Sequence, residues 1–277
     1  MEIRTASAGD VATMIEWAAR EGWNPGLADA ACFRAADPTG FLIGFEDAEP
    51  VACISVVRYG SGYGFLGFYI CAPQHRGRGF GWALWQAGFA HLAGRTIGLD
   101  GVVAQQTNYR KSGFVLAHRN VRYAGRVAIT ASSIPSIVAV TPELASEIER
   151  FDAAIFGVAR RIFLSRWLTA PGHIARAFVE AGRVRGYGVL RPCREGCKLA
   201  PLFADTPTVA DALFRSLAAE CGTATVMLDL PEPNEDAVAL ARRYGLSPSF
   251  ETARMYRGAR PALPLDRSFG LTSFELG

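Results

Sequence analysis

Apolar positions in the first half of the chain follow periods that predict alternating helices and strands. Between Val11 and Ala18, apolar residues recur every three or four positions, which is typical of the buried face of a helix. We predict this helix from Asp10, as its N-cap residue, to Arg20. Apolar runs separated by polar or glycine-rich turns predict an antiparallel meander of strands. The predicted strands lie near Ile3, at Phe41–Phe45, at Val51–Tyr59 and from Phe65 onward.

The next elements predict a mixed α/β order with a crossover helix after the central strand. An apolar stripe indicates a helix over residues 81–93, and a strand over residues 96–103 follows. A short helix is expected to end at Gly113, a residue type favoured just after a helix C-terminus. Further strands are predicted near Phe114 and Val121.

The second half repeats this order. Two pairs of equivalent positions, Ala72 with Ala204 and Gly113 with Gly245, are both separated by 132 residues, which indicates a duplicated fold. We predict a first domain over residues 1–130, a linker around residues 131–136 and a second domain over residues 136–277. The elements predicted in the second half are strands at 137–140, 175–179, 184–190, 198–204 and 225–230, and helices starting at Pro142, at Pro207 with Thr206 as N-cap, and at Glu235.

The most informative segment is a glycine-rich turn between an apolar strand and a helix, Arg76-Gly77-Arg78-Gly79-Phe80-Gly81. Alternating glycines free the backbone for positive φ and let several N–H groups point into one concavity, at the positive end of the following helix. The two arginines add positive charge at its rim. The pattern favours the binding of a pyrophosphate.

Three other interpretations explain the segment less well. A dinucleotide fingerprint needs G-x-G-x-x-G, but Trp82 stands at its last position. A nucleoside triphosphatase loop needs G-K-[ST], and the only lysines in the chain are Lys111 and Lys198. A plain glycine turn requires neither the two arginines nor three alternating glycines.

The segment resembles the acyl-coenzyme A loop of the GNAT N-acetyltransferase superfamily, with its R-x-x-G-x-G pattern. Residues 109–114, Tyr-Arg-Lys-Ser-Gly-Phe, are similar to a later element of that family. Residues 21–26, 98–101 and 252–258 resemble a bacterial branch with an additional C-terminal domain. The resemblance implies an α/β fold made of two GNAT-like mixed-sheet domains in tandem. In the second copy, residues 208–213 replace the loop without glycine or arginine, so we expect it not to bind coenzyme A.

The resemblance also implies roles for particular residues. The pantetheine arm is expected to pair with the backbone of Tyr69, Ile70 and Cys71, where an N–H also polarises the thioester carbonyl. The pyrophosphate is expected at the loop, which adds Arg76, Gly77, Arg78, Gly79, Phe80 and Gly81 to the cofactor site. Tyr109 is placed near the leaving thiolate. A buried core strand and a packing tyrosine explain the same residues equally simply.

The acceptor amine must lose a proton before it attacks, because an alkylammonium has a pKa of about 10.4. Glu21, at the end of the first helix, is our first candidate base, and Asp100 is the second. A solvated acid and a turn-forming acid are the plain alternatives. The irregular loop after Glu21 carries Trp23 and Asn24, which we predict to bind the acceptor. None of the four histidines has a partner that indicates a catalytic triad.

Composition narrows the function classes. A net charge of +3 without basic runs argues against nucleic acid, and no apolar run is long enough to span a membrane, so we expect a cytoplasmic protein. Cys193 and Cys197 indicate thiols at a hairpin tip, and no metal is expected. We therefore predict an N-acetyltransferase that moves an acetyl group directly from acetyl-CoA to a primary amine of a small molecule. The alternative is a non-catalytic acyl-CoA sensor or scaffold. The oligomeric state stays open.

Overall fold

The computed structural model describes residues 1–129 and 134–277. All strands belong to one large mixed sheet flanked by helices. The strands are β1 Glu2–Thr5, β2 Phe41–Glu46, β3 Glu49–Tyr59, β4 Tyr63–Cys71, β5 Thr96–Val102, β6 Val115–Arg126, β7 Ile137–Ala139, β8 Ile174–Glu180, β9 Arg183–Pro192, β10 Cys197–Ala204, β11 Thr225–Pro231, β12 Ser247–Arg257 and β13 Ser268–Gly270. The helices are α1 Ala8–Arg20, α2 Asp29–Ala36, α3 Phe80–His91, α4 Gln106–Lys111, α5 Ala145–Phe156, α6 Arg161–Leu168, α7 Pro207–Ala219 and α8 Glu235–Arg243.

The two halves of the chain exchange their last long strands. The sheet runs β1-β2-β3-β4-β5-β12-β6-β11-β10-β9-β8-β7. Strand β12, from the second half, pairs with β5 of the first half, whereas β6 of the first half pairs with β11 of the second. Each half therefore completes its sheet with a strand of the other. The domain limits predicted from the sequence stay a prediction. Residues 130–133, which lie at that boundary, are outside the described residues.

The start of the first helix differs from the prediction. Ser7 is the N-cap of α1, and Asp10 occupies the third helical position. The Asp10 amide donates to Ser7 Oγ over 3.2 Å, while the Ser7 amide donates to the Asp10 carboxylate over 2.7 Å. Both residue types cap helices, and this reciprocal pairing decides which one does so. Hydrogen bonds from Arg4 help to lower the pKa of Asp10 to about 2.

Four elements are absent from the predictions made on the sequence, namely α2, α6, β12 and β13. Helices α2 and α6 are only eight residues long, too short to show a clear period. Strand β12 carries a charged residue, Arg254, at a buried position, which obscures its pattern. The two strands predicted near Phe114 and Val121 are one continuous strand, β6. The other helices and strands lie within a few residues of their predicted places, and Thr206 caps α7 as predicted. None of the described helices is long and apolar enough to cross a bilayer.

The segment that follows β13, residues 271–277, is buried against the first half of the sheet. The hydroxyl of Tyr59, in β3, donates to the carbonyl of Leu276 over 3.0 Å. A side chain at Gly67, in β4, would overlap the carbonyl of Glu275. The second half of the chain therefore ends inside the first half, beside the strand that the sequence predicts to bind the cofactor.

Candidate active site

Two of the three loop glycines have the positive φ that the sequence predicts, whereas Gly81 lies in the first turn of α3 and does not. Gly77 and Gly79 have φ values of 79° and 84°, and Gly79 is the N-cap of α3. A Cβ at either position would meet nothing within 4 Å, so the loop backbone faces open space. The N–H groups of the first helical turn have no partner inside a helix, which makes this end of α3 suitable for an anion.

The two loop arginines are held by acidic side chains of the first half. Arg76 donates from Nε to the Cys71 carbonyl over 3.0 Å and pairs with Glu21 over 2.6 Å. Arg78 pairs with Glu46 over 2.7 Å, and its guanidinium lies 4.6 Å from the centre of the Phe80 ring. These side chains are about half exposed and lie at the rim of the loop.

Strands β4 and β5 separate beside this loop. They pair in parallel only from Tyr63 to Leu66 on β4 and from Thr96 to Leu99 on β5. Beyond Leu66 the register of β4 shifts against β3, and Phe68 has a φ of 45°. Where the two parallel strands diverge, their backbone groups no longer form hydrogen bonds with each other. An extended, amide-rich ligand therefore fits between them.

A cavity of about 480 Å³ fills this opening. It lies between the glycine loop, the two diverging strands and residues of the second half. The cofactor-site residues predicted from the sequence that line it are Tyr69, Ile70, Cys71, Arg76, Gly77, Gly79, Phe80 and Gly81. Arg78 is the predicted cofactor residue that does not line the cavity. Within the described residues, no group of three or more potential metal-ligating side chains occurs.

Tyr109 reaches the cavity from the short helix α4. Its ring stacks on Trp85, with centroids 5.7 Å apart, and Gly101 makes room for it, because a side chain there would overlap the ring. Tyr109 is 8% exposed and lines the cavity, and its hydroxyl has no hydrogen-bond partner in the described part of the chain. Burial raises the pKa of Tyr109, so the phenol is protonated and able to donate.

Both candidate bases named from the sequence line the cavity, and both have arginine partners. Asp100 binds Arg254 through two hydrogen bonds of 2.7 Å and accepts a third from Asn120. Its side chain has no exposed surface. Glu21 is one-third exposed and is bound to Arg76.

The two residues predicted to bind the acceptor have separate places. Trp23 lines the cavity, and its ring lies 6.4 Å from that of Phe68. Asn24 does not line it, because its side-chain amide exchanges two hydrogen bonds with the backbone of Glu195, at the β9–β10 hairpin tip. The position of Asn24 therefore suits an anchor between the two halves of the chain.

Four cavity residues come from the second half and were missed by the reasoning from the sequence. They are Phe250 and Thr252 on β12, and Phe274 and Glu275 in the 271–277 segment. The alternation of apolar residues from Phe269 to Leu276 is the one sequence signal near the last two. It indicates a partly buried segment but not what the segment touches.

Comparisons with known proteins agree with this geometry. The model of the acetyltransferase (GNAT) family matches residues 10–114, and that of an acetyltransferase (GNAT) domain matches residues 148–270. A curated relative from Pseudoalteromonas, named holothin acyltransferase, is 33% identical over 95% of this chain and 90% of its own. The chain belongs to the GNAT acyltransferase family. The predicted family, the tandem α/β architecture and the assignment as an enzyme are therefore confirmed.

Solved structures support the same fold for this GNAT protein. A candidate acetyltransferase from Pyrococcus horikoshii superimposes with a TM-score of 0.83, at 23% identity, over 100% of this chain and 95% of the other. A tandem GNAT protein from the clavulanic acid biosynthesis pathway superimposes with a TM-score of 0.62, at 14% identity, over 94% and 99% of the two chains. At these identities the likeness shows the fold alone.

The second GNAT copy has its own opening between β10 and β11, but the chain itself fills it. These strands pair only at Cys197–Lys198 with Val226–Met227. Beyond that point β13 pairs with β10 at Leu202 and Phe203, and the amide of Leu271 donates to the Asp229 carbonyl on β11 over 2.6 Å. Strand β13 thus occupies the place in the second half that is open in the first.

Proposed function

We propose that this protein transfers an acetyl group from acetyl-CoA directly to a primary amine of a small molecule. The observation that carries the proposal is the open cleft beside the Gly77–Gly81 loop, between strands that separate after Leu66 and Leu99. The pyrophosphate would lie at the glycine loop, and the extended, amide-rich arm would lie between the separating strands. The reacting thioester would lie in the cleft beyond them.

The loop supports the assignment of the pyrophosphate end. Gly77 and Gly79 face open space with positive φ, so anionic oxygens are able to approach the backbone closely. Arg76 and Arg78 stand at the rim and supply charge. From this end, the arm would run along Cys71, Ile70 and Tyr69 toward Tyr109.

The side chains favour direct transfer over an acyl-enzyme route. Cys71 is the cysteine closest to such a role, since it lines the cavity. Burial raises the pKa of its thiol, although Arg76 opposes the shift, so the nucleophilic thiolate is disfavoured. The amine nitrogen would therefore attack the thioester carbon itself, and the bond between that carbon and sulfur would break. Tyr109 would donate a hydrogen bond to the departing thiolate.

The acceptor side of the cavity suits a compact amine. Trp23, Phe250 and Phe274 supply aromatic walls, and the volume of about 480 Å³ is that of the whole cavity, including the part beside the glycine loop. The relative named holothin acyltransferase makes holothin one rational member of an acceptor panel. Amino sugars, amino acids and arylalkylamines complete the panel.

Two measurements on the wild-type protein test the proposal. Isothermal titration with acetyl-CoA should find one site per chain, because β13 fills the second cleft. Release of free thiol from acetyl-CoA in the presence of each amine of the panel should identify an acceptor. Two equivalent sites, or no amine that accelerates thiol release, would contradict the proposal.

A pair of glycine variants tests the loop. Gly79→Asp places a negative charge where the pyrophosphate is expected, so acetyl-CoA affinity should fall at least about tenfold, the effect of losing about 1.4 kcal/mol. Gly94→Asp is the matched control, because Gly94 also has positive φ and open space around its Cβ position but does not line the cavity. Its affinity should stay close to that of the wild type.

A further inference from the structure

Glu275 is a buried acid at the cavity that the sequence did not single out. It lies in the 271–277 segment and is 5% exposed. The backbone around it is fixed, because Leu276 receives a hydrogen bond from Tyr59 and its own amide donates to Ser273 Oγ over 3.0 Å. The position of Glu275 in the cavity is therefore set by the fold.

The carboxylate of Glu275 has no partner, in contrast to other buried acids nearby. Within residues 1–129 and 134–277, no hydrogen bond or ion pair reaches it. Asp29 is bound by Arg191 on β9, and Asp229 on β11 is bound by Arg122 on β6, in both cases as buried pairs. A buried carboxylate without a partner is costly, so a purely structural acid would be expected to have one.

Charged groups from several elements act on Glu275. Cations lie on three strands, Lys198 on β10, Arg191 on β9 and Arg122 on β6, and Asp29 on α2 has the opposite effect. Burial outweighs the cations and raises the pKa of Glu275. Lys198 donates to the carbonyls of Trp23 and Asn24, and burial lowers its pKa to about 8.

We propose that Glu275 is the catalytic base that takes a proton from the acceptor ammonium, so that the cavity selects cationic amines. This inference rests on the proposed acyl transfer. One proton would pass from the ammonium to the carboxylate, and the neutral nitrogen would then form its bond to the thioester carbon. The second proton would leave the nitrogen as the carbon–sulfur bond breaks and would pass to the departing sulfur, so that coenzyme A leaves as the thiol.

The acid–base chemistry favours Glu275 over the two acids predicted from the sequence. An ordinary carboxyl group is about six pKa units weaker as a base than an alkylamine, and a raised pKa narrows that gap. Asp100 and Glu21 are bound to Arg254 and Arg76, so proton transfer to either acid would compete with an ion pair. Glu275 has no such pair to break.

The test compares Glu275→Gln and Glu275→Asp with Glu251→Gln. Glu251 is a glutamate of β12 whose pair with Arg119 is exposed, and it does not line the cavity. The acceptor is the amine of the panel that wild-type protein acetylates fastest. At pH 7, Glu275→Gln should lower kcat/KM by about 10²–10⁴, with a smaller loss at high pH, because free amine then replaces the missing base. Acetyl-CoA affinity should not change.

The other variants and a stability measurement complete the test. Glu275→Asp should retain the acidic limb of the pH profile with a kcat lowered about tenfold or more, because its carboxylate is displaced. Glu251→Gln should match the wild type. Folding raises the pKa of Glu275, so ionisation of this carboxyl group destabilises the native state once the pH rises above the ordinary carboxyl range. Glu275→Gln removes the ionisable group and should therefore raise the Tm at pH 8.

Three results would overturn the inference. One is a kcat/KM profile of Glu275→Gln that matches the wild type across pH. Another is a wild-type kcat in Glu275→Asp, which decides the question if the glutamine variant does not fold. The third is a wild-type protein that acetylates no amine, which would remove the proposed function as well. If the wild type acetylates an amine and Glu275→Gln has an unchanged kcat/KM profile, the role of Glu275 would be refuted and the proposed acetyl transfer would stand.

Discussion

Replacing Asp100 by Asn would separate a structural role of this carboxylate from a catalytic one. Asp100 on β5 and Arg254 on β12 face each other in the register of the exchanged strand. Their two hydrogen bonds are both 2.7 Å long, and the two side chains are 0% and 6% exposed. The Asn variant keeps the size of the side chain but leaves the guanidinium of Arg254 buried without a counter-charge.

The expected cost is large compared with the stability of a protein. Removing one partner of a buried ion pair costs about 3–5 kcal/mol, and folded proteins are stable by only about 5–15 kcal/mol. With a denaturant slope of about 3 kcal/mol per molar urea, the unfolding midpoint should fall by about 1–1.7 M. The kcat per folded molecule should change by less than about tenfold, below the 10²–10⁴ typical of a general base.

Urea unfolding followed by fluorescence, together with thiol release at low urea, would measure both effects. Glu251→Gln on β12, the strand of Arg254, is the matched control, because the pair of Glu251 with Arg119 is 43% and 47% exposed and should contribute about 0–1 kcal/mol. An Asp100→Asn variant with wild-type stability and a kcat reduced by 10² or more would refute this reasoning. Asp100 would then return to the role of a base.

Three further substitutions or truncations test other parts of the structure. Tyr109→Phe should leave acetyl-CoA affinity unchanged and lower kcat by about 10² or more in the thiol assay, and an unchanged kcat would leave only a packing role. Gly67→Ala, whose Cβ would overlap the Glu275 carbonyl, should destabilise the fold by about 1–3 kcal/mol in urea, whereas Gly9→Ala in α1 should not. A chain truncated after Arg126 lacks β11 and β12, which leaves β6 without a partner and β5 paired only with β4, so it should fail to fold by circular dichroism, and a soluble, active fragment would contradict the strand exchange.

The parts of the site that the sequence predicts are local. The conformation of the Gly77–Gly81 loop depends on the glycines themselves, and the apolar helix that follows begins directly after Gly79, its N-cap residue. Tyr109 lies on the short helix α4, which follows β5 closely in the sequence. In such segments the residues that determine the structure are neighbours in the sequence, so their pattern predicts the geometry.

The parts that the sequence does not predict depend on distant pairings. The sequence predicts Asp100 as a candidate base or a turn-forming acid, and its ion pair becomes evident only when Arg254, 154 residues later, is placed beside it. Glu275 approaches Gly67 only because β13 carries the chain across the sheet. Even the choice between Ser7 and Asp10 as helix cap depends on reciprocal hydrogen bonds that neither residue type determines alone.

The filled β10–β11 opening of the second copy and the shape of the cavity in the first half have a common structural origin. Strand β13 lies in the β10–β11 opening, so glycines and arginines restored at residues 208–213 would still face a filled cleft. The same stretch of chain continues from Leu271 into the first half, where Phe274 and Glu275 form part of the cavity wall. Because the segment that fills one cleft extends into the other, the second copy shapes the cavity of the first half. This dependence explains why the two halves are expected to act as one catalytic unit.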